Sequence, residues 1–366
     1  ALVSIGQKDL LIDTQGNWGD PRTGDRAAAA RYLETRLTDF TKEVAFNKNI
    51  TTWIDSYDGR NKEPEILPIK FPVLLYQGAE GIAVGLSTKI LPHNFLEIIK
   101  SIISYLKGRS ISVLPDFISG GYIDVDHYNK GARGGKVRVR VEIDIKDKNT
   151  LVIKSVPHGV TTLSLIESII KANDKSKIKI RNIEDNTSEN IEIIIHLVKG
   201  TSPDMTIDAL YAFTNCEISI SPNCCVIIDN IPQFISVNKL LKLSVDYYMS
   251  IFEMELKHDL ETLLDSWHHQ SLEIIFISNK IYRKIEKSSS WESVVNTIKE
   301  SLVPYSKNLK KEISEQDIVR LTDLKIKRIS SYDLGRAKDS IIKIEENIKD
   351  VKYNIKNITE YAISYY

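Results

Sequence analysis

A seam of apolar residues at the C-terminal end constrains this chain more than any other feature. Ile341, Ile344, Ile348, Val351, Ile355, Ile358, Ala362 and Tyr365 alternate gaps of three and four without a slip. That is the spacing of a helix burying one stripe against another helix, the seam of a coiled coil. A second set, Val245, Met249, Phe252, Leu256, Leu260, Leu263 and Trp267, keeps a nearly unbroken version of the same spacing. Two such stripes, far apart in sequence, predict an antiparallel pair over 237–269 and 336–366, with a small helical domain over 270–335 at its tip. That tip holds Trp291, a proline break at Pro304 and a helix start at Ser314-Glu-Gln-Asp317. His268 and His269 fall on the first long helix, where neighbours point about 100° apart. Chelation of a metal by that pair is not expected.

At 366 residues the chain exceeds one ordinary core, so two or three domains are expected. Upstream of the helices the pattern is α+β. Lys136–Ile145, KVRVRVEIDI, alternates strictly and predicts one strand, with Thr150–Val156 as its hairpin partner. Further strands are expected over 177–183, 190–198 and, last, 225–229, with helices over 162–172 and 206–213. In the first 76 residues, Asp13-Thr-Gln-Gly-Asn-Trp-Gly reads as a turn cluster, and propensity predicts a helix over Ala27–Phe40. No apolar run approaches the roughly 18 residues of a membrane span. The N-terminal ALVSIGQKDLLID lacks the basic head and long apolar middle of a signal peptide. Cys216, Cys224 and Cys225, odd in number and clustered, argue for a reducing compartment. The net charge of zero excludes a uniformly basic nucleic-acid binder and leaves room for a local basic groove.

Four constellations carry chemistry. Tyr32 stands between Arg31 and Arg36 after the run Ala27–Ala30. A tyrosine here packs its ring with a wet hydroxyl, or attacks a phosphate held by guanidinium groups. A phenol, with a pKa near 10, leaves readily from a phosphodiester, which suits cutting and resealing a strand. Second, Gly78-Ala-Glu-Gly-Ile-Ala-Val-Gly matches no phosphate-loop pattern. It reads as tight turns, or as a loop presenting Ile82 as a wedge between base pairs. Third, Lys130–Arg140 holds five basic residues, among them Arg133, and no acid. Lys136, Arg138 and Arg140 share one strand face, either simply solvated or a phosphate track. Fourth, Asp124-Val-Asp126 is a turn, or a weak Mg²⁺ pair. No CxxC or HExxH pattern supports a zinc site.

In this order, these pieces resemble the A subunit of bacterial type IIA DNA topoisomerases, the gyrase and topoisomerase IV group. The resemblance rests on Asp13-Thr-Gln-Gly-Asn-Trp-Gly with Ala28-Ala-Ala-Arg-Tyr-Leu-Glu-Thr-Arg-Leu, then Tyr57-Asp-Gly, Gly81-Ile-Ala-Val-Gly, Pro92-His-Asn and Pro115-Asp-Phe-Ile-Ser-Gly-Gly. Gly131-Ala-Arg-Gly-Gly-Lys is a looser match. The segment 316–329 is similar to the family's helical exit-gate region.

The resemblance implies that Tyr32 forms a 5′-phosphotyrosyl link, Arg31 stabilises the transition state and Ile82 intercalates. Arg133, Lys136, Arg138 and Arg140 would contact DNA, and Arg36 would reach either the same phosphate or a neighbouring carboxylate. It implies part of a winged-helix catalytic-tyrosine domain over 1–76, a tower domain over 77–236, and a long coiled coil ending in a dimerising exit gate. It also implies a homodimer in an A2B2 complex on double-stranded DNA, cytoplasmic and nucleoid-associated, with no membrane partner. No cofactor is expected on this chain; Mg²⁺ and ATP are expected on the B subunit. The family's preceding helix-turn-helix unit and following DNA-wrapping propeller are expected to lie outside this sequence. The rival readings are a non-catalytic DNA-bending clamp, a metal nuclease built on Asp124 and Asp126, and a coiled-coil scaffold.

Overall fold

The computed structural model describes residues 1–8, 10–285, 290–324 and 334–366. Contacts divide the chain into two compact units, one of residues 1–248 with Tyr366 and one of residues 249–365. A mixed α and β architecture is present, with all the described strands in the first unit.

One core of the first unit is built on a four-stranded antiparallel sheet. It runs β11 (Ile180–Asp185), β12 (Ile193–Leu197), β10 (Thr150–Ile153), β9 (Ile143–Asp147). Helices α5 (Thr162–Asp174) and α6 (Pro203–Phe213) supply the apolar cover: Leu165, Ile169 and Leu210 are buried in one cluster with Leu151, Ile153, Ile193 and Ile195. A capping box between Thr161 and Ser164 starts α5.

The predicted strand over 136–145 divides in two. β8 (Val137–Arg140) lies in a three-stranded sheet between β7 (Tyr122–Asp124) and β13 (Glu217–Ile220), while β9 pairs with β10 in the larger sheet. The break falls at Val141–Glu142. There the Val141 amide bonds to the Cys216 carbonyl at 2.9 Å, and the Glu142 amide to Ser155 Oγ at 2.7 Å. Alternation in the sequence runs straight across this junction because both strands carry their apolar residues at odd positions. The expected pairing of β9 with the following strand is present. Strand β14 (Cys225–Ile228) is not the last. It turns through Asp229-Asn230, both at positive φ, into β15 (Ile231–Phe234).

The other correction lies around Tyr32. Ala27–Phe40 is not an α-helix. Ala30–Tyr32 makes one 3-10 turn, Glu34–Leu37 is β2, and helix α2 begins only at Asp39. Thr38 caps that helix, accepting from the Thr41 amide. β2 pairs antiparallel with β1 (Ile12–Gln15), and the Ala28 amide bonds to the Asn17 carbonyl. An isolated helix of this length is marginal in water, so a tertiary partner strand outweighs alanine's propensity.

In the second unit some residues of the two long stripes lie in contact. Helix α7 (Val237–Ser278) contributes its later turns here. Phe252 lies edge-on to Tyr361 and Tyr365, with ring centroids 5.7 and 5.0 Å apart. Trp267 donates to Glu345 at 3.0 Å. Residue numbers rise along α7 as they fall along helices Leu334–Lys356 and Ile358–Tyr365, so the pair is antiparallel. Leu272, Phe276, Ile298, Leu302, Ile318 and Leu321 form a separate small core. The predicted helix start at Ser314 is a capping box with Asp317, and Pro304 sits in a 3-10 turn. His268 and His269 both reach Asp317, each at 3.3 Å. Residues 325–329 of the exit-gate motif lie outside the described residues.

Candidate functional site

The turn cluster 13–19 builds a support for Tyr32. Gly16, at φ +96°, sits against the Tyr32 backbone; a Cβ there would lie 2.5 Å from the Tyr32 carbonyl oxygen. Trp18 is buried, its indole N–H donating to the Gln15 carbonyl at 3.0 Å, with its ring against Gly6. The Ala28 amide donates to the Asn17 carbonyl at 2.9 Å, and the Tyr32 amide to the Ala29 carbonyl at 2.9 Å. The alanines therefore act as a slim extended lead into a tight turn rather than as the start of a helix.

On that turn Tyr32 remains 63% exposed. Its hydroxyl has no hydrogen-bond partner among the described residues. The Arg31 guanidinium lies 4.7 Å from the Tyr32 ring centre. An accessible phenol beside a guanidinium suits attack on a phosphodiester, since the cation can stabilise charge developing on phosphate oxygens. Arg36 has another partner. It pairs with Asp13 across the β1–β2 hairpin at 2.8 Å, and that carboxylate raises its pKa further above the usual arginine range.

Ile82 belongs to a hairpin rather than to a loop. β5 (Ala79–Ala83) pairs with β6 (Leu86–Ile90) through the two-residue turn Val84-Gly85, with Gly85 at φ +73°. Ile82 is 91% exposed and Val84 fully exposed, so the tip carries two apolar side chains. Val84 was missed from sequence, although the spacing Ile82-Ala-Val84 already put the two on one side of a strand.

The hairpin and the basic loop share a support. Lys89 and Asn223 exchange backbone hydrogen bonds at 2.8 and 2.9 Å, and the next amide, Cys224, bonds to the Gly131 carbonyl at 3.1 Å. Arg133 lies over the Phe234 ring at 5.6 Å. On β8 the valines 137 and 139 are buried and the basic side chains are exposed, as the alternation predicts. The stripe is nonetheless largely neutralised. Arg138 is paired with Asp124, its register partner on β7, and Arg140 with Glu217, its partner on β13. Arg140 also lies over the Tyr211 ring at 4.9 Å. Lys136 has no ion pair among the described residues. The local segment contains no acid, but the neighbouring strands bring two.

Those contacts also decide Asp124. One carboxylate oxygen accepts from the Asp126 amide at 3.1 Å and the other from Arg138 Nε at 3.0 Å. These bonds, with the guanidinium beside it, hold its carboxyl below the usual range. One oxygen thus serves a turn and the other an ion pair, the turn being one of the two readings of Asp124-Val-Asp126. Among the described residues, no three His, Cys, Asp or Glu side chains converge as metal ligands.

The Pro92-His-Asn motif is structural. His93 is buried, with Nδ1 donating to the Leu75 carbonyl at 3.1 Å and Nε2 accepting from the Tyr128 hydroxyl at 3.2 Å. Burial lowers its pKa to about 4 and pushes Tyr128 up. Asn94 caps helix α4 (Phe95–Leu106) through the Leu96 amide at 2.9 Å. The cysteine thiols are free, and burial raises Cys216 to about 12 and Cys224 to about 11, so neither is an activated thiolate.

A family model for the A subunit of DNA gyrase/topoisomerase IV matches residues 1–365. The DNA topoisomerase 4 A subunit of Borreliella burgdorferi is 40% identical over 365 residues, covering 100% of this chain and 58% of that protein. The DNA gyrase A subunit of Lawsonia intracellularis is 29% identical over 375 residues, covering 95% of this chain and 44% of its own length. That of Mycoplasma genitalium is 29% identical over 378 residues, covering 96% and 44%. The chain thus spans a little over half of the first relative and less than half of the other two. The family match runs over residues 1–365, and the chain belongs to the family of DNA gyrase/topoisomerase IV A subunits.

Proposed function

We propose that this chain is the breakage-and-reunion core of a type IIA DNA topoisomerase. The observation that carries the reading is Tyr32, exposed and with its hydroxyl unpartnered among the described residues, the Arg31 guanidinium lying 4.7 Å from its ring. The Tyr32 oxygen, giving up its proton, bonds to a DNA phosphorus as the P–O3′ bond breaks. A protonated 3′-hydroxyl and a 5′-phosphotyrosyl link result, and resealing reverses both changes. Arg31 stabilises the charge that builds on the phosphate oxygens. Ile82 and Val84, at the hairpin tip, wedge the duplex open and bend it. Lys136 and Arg133 contact phosphates, with Arg138 and Arg140 contributing less because each is paired with an acid.

In this reading residues 1–76 form part of a winged-helix catalytic domain and 77–236 the tower flanking the bent duplex. The helices of 237–269 and 336–366 form a coiled coil carrying an exit gate over 270–335, through which two copies dimerise. A B subunit completes an A2B2 complex in the cytoplasm and holds Mg²⁺ and ATP. On this chain the Asp124 oxygens accept from the Asp126 amide and from Arg138. No described helix is long and apolar enough to cross a membrane.

The test is Tyr32→Phe in the full-length A subunit reconstituted with B. Loss of covalent protein–DNA adducts with retained DNA binding is expected. Adducts that persist in the variant would overturn the nucleophile assignment. Bending by the unaltered protein without any adduct would point to a clamp instead.

A further inference from the structure

We propose that the loop Asp20–Asp25 is a strut fixing the Tyr32 segment to the sheet module of α5, β11 and β12, with Arg22 as its positioning residue. This rests on the reading of Tyr32 as the nucleophile. The Asp20 carboxylate grips Arg22 at three points: the backbone amide at 2.7 Å, Nε at 3.1 and 3.2 Å, and Nη2 at 2.8 Å. So held, Arg22 reaches the module twice. Its Nη1 donates to the Glu189 carbonyl, in the turn between β11 and β12, at 3.2 Å. Its own carbonyl accepts from the Thr162 amide at 2.9 Å. Thr162 opens α5, and a first-turn amide has no acceptor within its helix. Gly24, at φ +88°, completes the dock; a Cβ there would lie 3.2 Å from Thr161 Cγ2.

From the strut, backbone bonds run on to the tyrosine. The Asp20 amide bonds to the Asp25 carbonyl at 3.2 Å and the Gly24 amide to the Asp20 carbonyl at 2.9 Å, closing the loop. Gly19 lies so close to Asp25 and Ala27 that a Cβ on it would meet the Asp25 carbonyl oxygen at 2.4 Å. Ala28 is then held by Asn17, and Tyr32 rests on Gly16. An exposed ion pair alone contributes little. Here the pair orients a group that docks at two backbone sites of another substructure, and its effect is read in geometry rather than in stability.

The experiment uses the full-length A subunit with its B subunit, comparing the unaltered protein with Arg22→Ala, Arg22→Lys and Gly24→Ala. DNA affinity, single-turnover adduct formation and melting temperature are measured for each. A displacement near 1 Å at a reacting group costs up to about 100-fold, so Arg22→Ala should slow adduct formation by at least about tenfold. Its affinity should stay within about twofold, since no phosphate contact is assigned to this residue. Gly24→Ala should behave likewise and Arg22→Lys should restore part of the rate. Adduct formation at the unaltered rate in Arg22→Ala overturns the proposal, as does a rate loss that merely tracks lost affinity or melting. If the unaltered protein makes no adduct, the reading of Tyr32 falls, and with it the strut's part in the reaction. Amide exchange at Ala28 and Tyr32, unchanged in Arg22→Ala, would show that the coupling itself is absent.

Discussion

Gly16→Ala should disable Tyr32 without unfolding the protein. The added Cβ would sit 2.5 Å from the Tyr32 carbonyl oxygen, where ordinary contact begins near 3.4 Å. The two backbones must therefore separate by the difference, 3.4 − 2.5, or about 0.9 Å. An alanine at φ +96° adds a backbone cost of about 1–2 kcal/mol. Part of the separation falls on Tyr32, because the adjacent Gln15 carbonyl is held by the indole N–H of the buried Trp18. Displacing a reacting group by about 1 Å costs up to about 100-fold in rate. A suitable control is Gly59→Ala, also at positive φ (+66°) but with nothing within 4 Å of the new Cβ. The assay is single-turnover formation of the covalent DNA adduct, with melting temperature alongside. Gly16→Ala should lose between about 10- and 100-fold in rate while Gly59→Ala loses little. Equal rates in the two variants would refute the argument that the turn cluster sets the tyrosine's position.

Other outcomes follow from the same geometry. His93 has a folded pKa of about 4 against an ordinary 6.5, so the unfolded chain takes a proton that the folded chain refuses. Its contribution is complete above pH 6.5 and is lost as pH falls toward 4, by about 3 kcal/mol at 1.36 kcal/mol per unit. Urea melts of His93→Gln should show a flatter acid limb, and an unchanged limb would place the acid sensitivity elsewhere. Lys136→Ala should reduce the salt slope of DNA binding by about one. Removing the opposed charges of Asp124 and Arg138 together, as Asp124→Asn with Arg138→Gln, should leave that slope nearly unchanged; equal losses would mean that Arg138 is available to DNA. Ile82→Ala, at a side chain 91% exposed, should leave the melting temperature intact yet reduce bending measured by energy transfer between labelled DNA ends. Undiminished bending would remove the wedge role.

Much of this was legible in the chain. The apolar stripes lead to the expectation of an antiparallel helix pair because a long apolar stripe has few ways to be covered, and Phe252 and Trp267 each touch the C-terminal helices. Strand alternation around Val137 and Val139 identified the buried face correctly. The motif around Tyr32 marks the candidate nucleophile, while its local structure is a turn and a strand instead of the expected helix. Alanine propensity is a small local quantity, and a strand well upstream overruled it. Likewise KGARGGKVRVR left a solvated face and a phosphate track both open, because strand pairing, not the segment itself, sets Asp124 of β7 and Glu217 of β13 opposite its arginines.

What the sequence determined by itself is therefore which residue types are available and how each segment spreads its apolar side chains. Period and composition are local, and they survive whatever the rest of the chain does. Tertiary structure alone decided which charges are spent and which remain. It gave Arg36 to Asp13 and Arg138 to Asp124, and left Arg31 beside an exposed Tyr32. The reason is geometric: antiparallel register sets residues far apart in the chain opposite one another, and an ion pair depends on a separation of a few ångströms rather than on position along the chain.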